Sequence, residues 1–220
     1  MKITHSSAAE MKLVAGWLCL DFINTVDGRK SDSPRSKSHS VSSQLLGDKL
    51  GEYSDLVAWS RHTGIVTAAE AERLIQASKR NAAEARNVFD RAIALREALY
   101  RICKSIMTDR RPQRVDLETI NDELLEARTH ERLTHRAHGF TWEWAGGEVA
   151  LDRMLWSIAH SGAELLTTAD LSRLRECSGE ECGWLFEDTS KNRSRQWCDM
   201  QNCGNLAKVR RYRTRLRSST

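Results

Sequence analysis

Proline is nearly absent, two residues in 220. With Ala, Leu, Glu and Arg abundant through the middle of the chain, that points to a mainly helical body. No run approaches the roughly 18 apolar residues that cross a bilayer, which excludes a helical membrane protein. Met1 to Glu10 lacks the hydrophobic stretch of a secretion signal, so a cytoplasmic location is expected. No glycine loop is placed to cradle phosphates and no nucleophile stands beside an organised base, so an enzyme is the least expected class. There is no internal repeat. The charged fraction of 29% and apolar fraction of 40% are ordinary for a globular chain, and its length suits one medium domain plus a small one.

Acidic residues are scarce in one region. From Leu171 to Thr220 there are 11 Lys and Arg against 6 Asp and Glu, a balance of +5, while the first 170 residues carry 23 against 24, or −1. From Asn205 onward there are six basic residues and no acidic one, an electrostatic footprint that attracts anionic polymers. A solvated terminus is the plain alternative. Cysteine is also unevenly spread: four of the six fall in the last 44 residues. Cys19 and Cys103 lie in apolar surroundings and read as small core residues.

The apolar segment from Gly16 to Val26 is too dense to separate helix from buried strand by period, and helix is the preferred reading. Within it, Asp21, Asn24 and Thr25 are polar, and structural hydrogen bonding or capping is the expectation over a ligand pocket. Gly28 to Ser43, with seven serines in 16 residues, reads as a mobile loop. Ser54 is placed to cap a helix through His62, and Thr67 with Glu70 has capping-box spacing for a helix from about Ala68 to Ala77. Val88, Ala92, Leu95, Leu99, Ile102 and Ile106 recur at three and four, predicting one long amphipathic helix over Asn81 to Met107.

Asp116 is placed to cap another helix through about Arg128. Leu133 to His135 and Phe140 to Trp144 read as a small hairpin, with Trp142 and Trp144 in the core or at its rim and His130, His135 and His138 on the surface. Val149 to Leu166 is helical again. A boundary near Thr168 divides a helical domain, 1–168, from a cysteine module, 169–220.

The module has the spacing C-x4-C, fifteen residues, C-x4-C, formed by Cys177, Cys182, Cys198 and Cys203. Four thiolates complete a tetrahedral shell around one zinc ion and leave no position for water, so the metal is structural. Trp184-Leu185-Phe186 and Arg195-Gln196-Trp197 read as strands of a hairpin, with Trp184, Phe186 and Trp197 packed beside the metal. A helix follows Cys203, giving the order knuckle, hairpin, helix of a treble-clef finger. At 100° per residue Lys208, Arg211 and Arg215 share an arc of about 60°, and Leu206, Val209 and Leu216 gather away from it, so the apolar stripe is expected to seat the helix. Arg210, Arg213 and Arg217 flank the basic stripe, Lys191, Arg193 and Arg195 add charge from the hairpin turn, and with Asn205 these are the candidate nucleic-acid contacts.

The stretches Leu174-Arg175-Glu176-Cys177, Cys182-Gly183-Trp184-Leu185-Phe186-Glu187-Asp188-Thr189-Ser190-Lys191-Asn192-Arg193-Ser194-Arg195-Gln196-Trp197-Cys198-Asp199-Met200 and Cys203-Gly204-Asn205 resemble the CGNR zinc finger proteins. Cys19-Leu20-Asp21-Phe22-Ile23-Asn24-Thr25-Val26 and Ser161-Gly162-Ala163-Glu164-Leu165-Leu166 resemble landmarks of their N-terminal ABATE domain. Leu206 replaces the arginine that gives the finger its name. The resemblance implies a helical N-terminal domain, a DNA-binding finger and a role in stress-induced transcription. The leading expectation is therefore a zinc-dependent DNA-binding regulator whose N-terminal domain senses a signal or forms a homodimer. An acidic protein partner or RNA are the alternatives; no membrane is expected as a partner.

Overall fold

The structure is a computed structural model, and it describes residues 7–29, 47–145 and 150–218. The serine-rich stretch lies almost wholly outside them. Among the described residues there are seven α-helices and two separate two-stranded antiparallel sheets.

Helix α1, Leu18–Ile23, is short, but five of its six residues are buried. It is followed by α2, Tyr53–His62, and α3, Ala68–Arg80. Thr67 and Glu70 form the expected capping box, with the Thr67 N–H donating to Glu70 at 2.7 Å and the Glu70 N–H to the Thr67 hydroxyl at 3.2 Å. At α2 the cap is Glu52 rather than Ser54, because the Asp55 carboxylate accepts the Gly51 and Glu52 N–H groups that would otherwise be orphaned.

Helix α4, Ala82–Met107, is the central beam: it packs against α1, α2, α3 and α5, Arg114–His130, as well as α6, Arg153–Thr168. Val88, Ala92, Leu95, Leu99 and Ile102 are buried along one stripe, each large aliphatic contributing roughly 1.5–3 kcal/mol. A Cβ on Gly162 of α6 would lie 2.6 Å from Leu99 Cδ2, so α4 and α6 sit closer there than a larger residue permits. Asp116 does not cap α5. It is buried within the first turn and is paired with Arg101 of α4. Cys19 and Cys103 are buried core thiols, and burial raises both, Cys19 to about 12.

Strands β1, Glu131–Arg136, and β2, Gly139–Trp144, form the expected hairpin. Trp144 packs on Trp156 and His160 of α6, whereas Trp142 is 65% exposed, contrary to the expected core or rim position. His130 is half-buried rather than fully at the surface: its ring stacks on Trp156 at 3.8 Å. After Thr168 a turn of 3-10 helix, Leu171–Arg173, leads into β3, Leu174–Glu176, which pairs with β4, Leu185–Glu187. The stretch 195–197 is not a strand. The Gln196 carbonyl instead accepts the Ser178 N–H, so this segment runs along the cysteine loop and the hairpin partner of β4 lies upstream. A π-helical turn, Met200–Gly204, precedes α7, Asn205–Ser218.

Candidate metal centre and nucleic-acid interface

Cys177 and Cys182 bracket the turn at the tip of the β3–β4 hairpin, with Gly183 at φ 74° continuing it. Cys198 follows the return segment and Cys203 lies in the π-turn at the start of α7. All four are buried, and their sulfurs lie within 4.8 Å of one another. Cys182 and Cys198 are 3.6 Å apart and Cys198 and Cys203 are 3.7 Å apart. These are far too long for disulfides, and they match the edge of about 3.8 Å that a tetrahedron with zinc–sulfur bonds of about 2.3 Å requires.

Backbone N–H groups of Gly179 and Cys198 donate to Cys177 Sγ at 3.4 and 3.3 Å, which fits a thiolate. Hydrogen bonds from its neighbours hold Cys177 far below the usual thiol range, while the same contacts push Cys198 far above it. A lone cluster of four thiols resists losing every proton, and a divalent cation is what stabilises four thiolates together. The four cysteines hold one structural zinc. Gly179 is needed here, since a Cβ would sit 3.1 Å from Cys182 Cβ and 3.3 Å from Cys203 Sγ.

The finger is anchored in the N-terminal segment. The Asn24 side chain donates to the Leu185 carbonyl and accepts the Leu185 N–H, both at 2.8 Å, so one amide takes the place of a neighbouring strand for β4. The Glu187 N–H donates to the Ala15 carbonyl, the Gly28 N–H to that of Cys182, the Trp184 ring N–H to Asp27 and the Trp17 ring N–H to Glu187. Thr25 donates to the Phe22 carbonyl and receives Arg96, a fully buried arginine paired with Asp48. Trp184, Leu185 and Phe186 share one core with Leu20, Phe22 and Ile23, and Trp197 packs against it half-buried.

Asp21 accepts the N–H groups of Val14 and Ala15 at 3.0 and 3.1 Å, yet burial raises its carboxyl to about 6. A raised folded value means that the fold binds this proton more tightly than the unfolded chain does. Its contribution is therefore most favourable at low pH and is lost as pH rises from about 4 to beyond 6, by on the order of 3 kcal/mol. Asp21→Asn keeps the accepting oxygen without the charge. In denaturant titrations of zinc-loaded protein between about pH 5 and 8, the variant should gain on the parent as pH rises; a constant difference would show that Asp21 does not titrate in that window.

The proposed nucleic-acid contacts fall into three groups. Arg195 does not face solvent as expected. Its guanidinium donates to the carbonyls of Val14, Glu187, Trp197 and Cys198 and lies 4.1 Å over the Phe186 ring, making it an internal clasp. Arg193, at φ 50°, is held by Asp170 and Ser172, and Arg210 is paired with Glu180, while the Asn205 amide donates to the Gln201 carbonyl. Lys191, Lys208, Arg211, Arg213 and Arg215 are exposed, and within the described residues no ion pair engages Lys208, Arg211 or Arg213. The Arg217 side chain lies outside the description.

Of the expected apolar stripe, Leu206 turns towards the finger, whereas Val209 and Leu216 do not. Val209, Tyr212 and Leu216 are 46%, 64% and 52% exposed, and the groove between α7 and the cysteine loop is lined on the helix side by Leu206, Ala207, Arg210, Arg211 and Thr214. Leu206, in place of the family arginine, thus lines the side of α7 turned towards the finger.

Residues 16–169 match the ABATE family, described as "putative stress-induced transcription regulator". The chain belongs to the ABATE family. Residues 173–216 match the CGNR zinc finger, so Asn24, within the ABATE match, is what braces the finger's edge at Leu185, while Asp21 holds the Val14–Ala15 backbone beside it. No curated protein matches the sequence.

Proposed function

We propose that this ABATE protein is a non-catalytic, zinc-dependent DNA-binding transcription regulator of a reducing compartment, with α7 laid against the phosphate backbone. The observation that carries this reading is the exposed row of Lys208, Arg211 and Arg215 on one face of a helix that contains no acid and follows directly on the π-turn holding the zinc ligand Cys203. Lys191 and Arg213 extend the same charge. With Arg195 used internally and Arg193 and Arg210 already paired, Lys191, Lys208, Arg211 and Arg213 alone neutralise about four phosphates, so log affinity should fall with log salt at a slope near −4.

Changing Lys208, Arg211 and Arg215 together to Ala should weaken binding to duplex DNA by about 100-fold and flatten the salt slope by about 3, with zinc content unchanged. Fluorescence anisotropy across salt concentrations reads both. Unaltered binding by the triple variant would remove α7 as the contact surface. The outward Val209 and Tyr212 favour a second reading, in which the same face docks an acidic protein. Excess DNA displaces that partner only if both use this face, and a preference for RNA in the same competition assigns the other polymer.

A further inference from the structure

The four ligand sulfurs are not equivalent. Cys177 Sγ accepts the N–H groups of Gly179 and Cys198 and is wholly out of solvent, and both bonds occupy lone pairs that an incoming reagent would need. Among the described residues no backbone N–H donates to Cys203 Sγ. Cys203 also lines a groove of about 290 Å³ between the cysteine loop and α7, with Gly179, Leu206, Ala207 and Arg211 around it, and no other zinc ligand lines that groove. The wall at Gly179 is bare backbone, where even a methyl group would come within 3.3 Å of Cys203 Sγ.

The groove is below the usual size of a pocket for drug-sized ligands, and Cys203 is only 2% exposed, so what reaches its sulfur is small. A metal-bound cysteine is already a thiolate, the nucleophilic form. Cys19 and Cys103 are core thiols that burial keeps protonated, so reactive and inert cysteines share one chain.

We propose that Cys203 is an oxidation site, at which a small hydroperoxide enters along the groove and opens the metal centre. The Cys203 sulfur attacks a peroxide oxygen: the S–O bond forms, the O–O bond breaks, and hydroxide leaves to be neutralised by solvent. Cys198 Sγ, 3.7 Å away, then attacks the sulfenic sulfur. The S–S bond forms, the S–O bond breaks and a second hydroxide leaves. Two thiolates have given up two electrons, and one peroxide has become two hydroxides. Cys177 and Cys182 alone remain as thiolates, too few to hold a structural zinc. Because Cys203 sits in the π-turn that leads into α7, the helix carrying Lys208, Arg211 and Arg215 loses its fixed start. A dithiol reductant cleaves the disulfide and lets zinc return.

Hydrogen peroxide added to the full, zinc-loaded chain tests this. Released zinc is read with a chromophoric chelator too weak to strip the parent, and the cysteines are mapped by mass spectrometry after alkylation. About one zinc should leave per peroxide consumed, with a Cys198–Cys203 disulfide as the first product and Cys19 and Cys103 recovered as free thiols. tert-Butyl hydroperoxide should release zinc at least about 10-fold more slowly than its reactivity towards free cysteine, relative to hydrogen peroxide, predicts, because the approach is narrow. Ala207→Leu, which fills the groove, should slow release by hydrogen peroxide at least about 3-fold, and Val209→Leu, on the exposed side of α7, should leave it unchanged. Zinc retained under peroxide, a first disulfide that omits Cys203, no discrimination between the two hydroperoxides beyond that of free cysteine, or parent-like release from Ala207→Leu each overturns the assignment. The comparison of the two reagents needs no variant. None of these readouts involves DNA, so a finger that ignores duplex DNA leaves the oxidation site in place, and an oxidant-resistant centre leaves the reading of α7 in place.

Discussion

Stripping zinc from the purified protein with a strong chelator should unfold residues 169–218 and strip the N-terminal segment of its partners in the same transition. Zinc contributes on the order of 10 kcal/mol to folding in comparable fingers, and β3 and β4 are only three residues each, too short to persist without it. The segment 12–28 rests on the finger through Asn24, Trp17, Asp27 and the Glu187 to Ala15 bond. Trp17 of that segment and Trp184 of the finger should therefore change environment on chelation, and Cys198→Ser should reproduce the change without chelator. Tryptophan fluorescence with zinc quantification checks both. Retention of a native spectrum at zero zinc would show that the core alone holds the finger.

The second large effect is expected at Arg195. Replacing it with Ala leaves four buried or half-buried carbonyls, those of Val14, Glu187, Trp197 and Cys198, without a donor, and removes a cation from the Phe186 face. At about 1–2 kcal/mol for each charge-assisted bond, with partial rescue by water, the loss should be about 3–5 kcal/mol. Arg195→Lys should recover little, since one ammonium cannot reach carbonyls in several directions. Denaturant unfolding of the zinc-loaded variants measures this. A cost below about 1 kcal/mol would return Arg195 to the surface set.

These two sites show what could and could not be read beforehand. The cysteines were legible because metal ligation imposes a spacing, and α4 because a stripe at three and four over 26 residues has one structural meaning. The capping box before α3 was legible because both of its partners are local. Arg195 was not. It sits in a basic run, and what takes it out of solvent is a carbonyl 181 residues away. The strand partner of β4 was missed for a related reason, as three residues show no period and either flank would serve. The Asp21, Asn24 and Thr25 group was correctly read as structural, but nothing in the residues named the finger's edge as what Asn24 binds. The seat of α7 was only partly foreseen, because amphipathicity shows that two faces differ, not which one the protein covers.

The bond from Arg195 to Val14 also orders events during synthesis. The ribosome emits residues 12–28 more than 150 residues ahead of their partners, at about 5–20 residues per second, so for many seconds Trp17 and Asn24 of the nascent chain lack these contacts. A product that terminates before Cys203 contains Arg195 but lacks the fourth zinc ligand, so it cannot complete the metal shell that fixes this edge. Completion of the metal shell thus doubles as proof that translation reached the end of the finger.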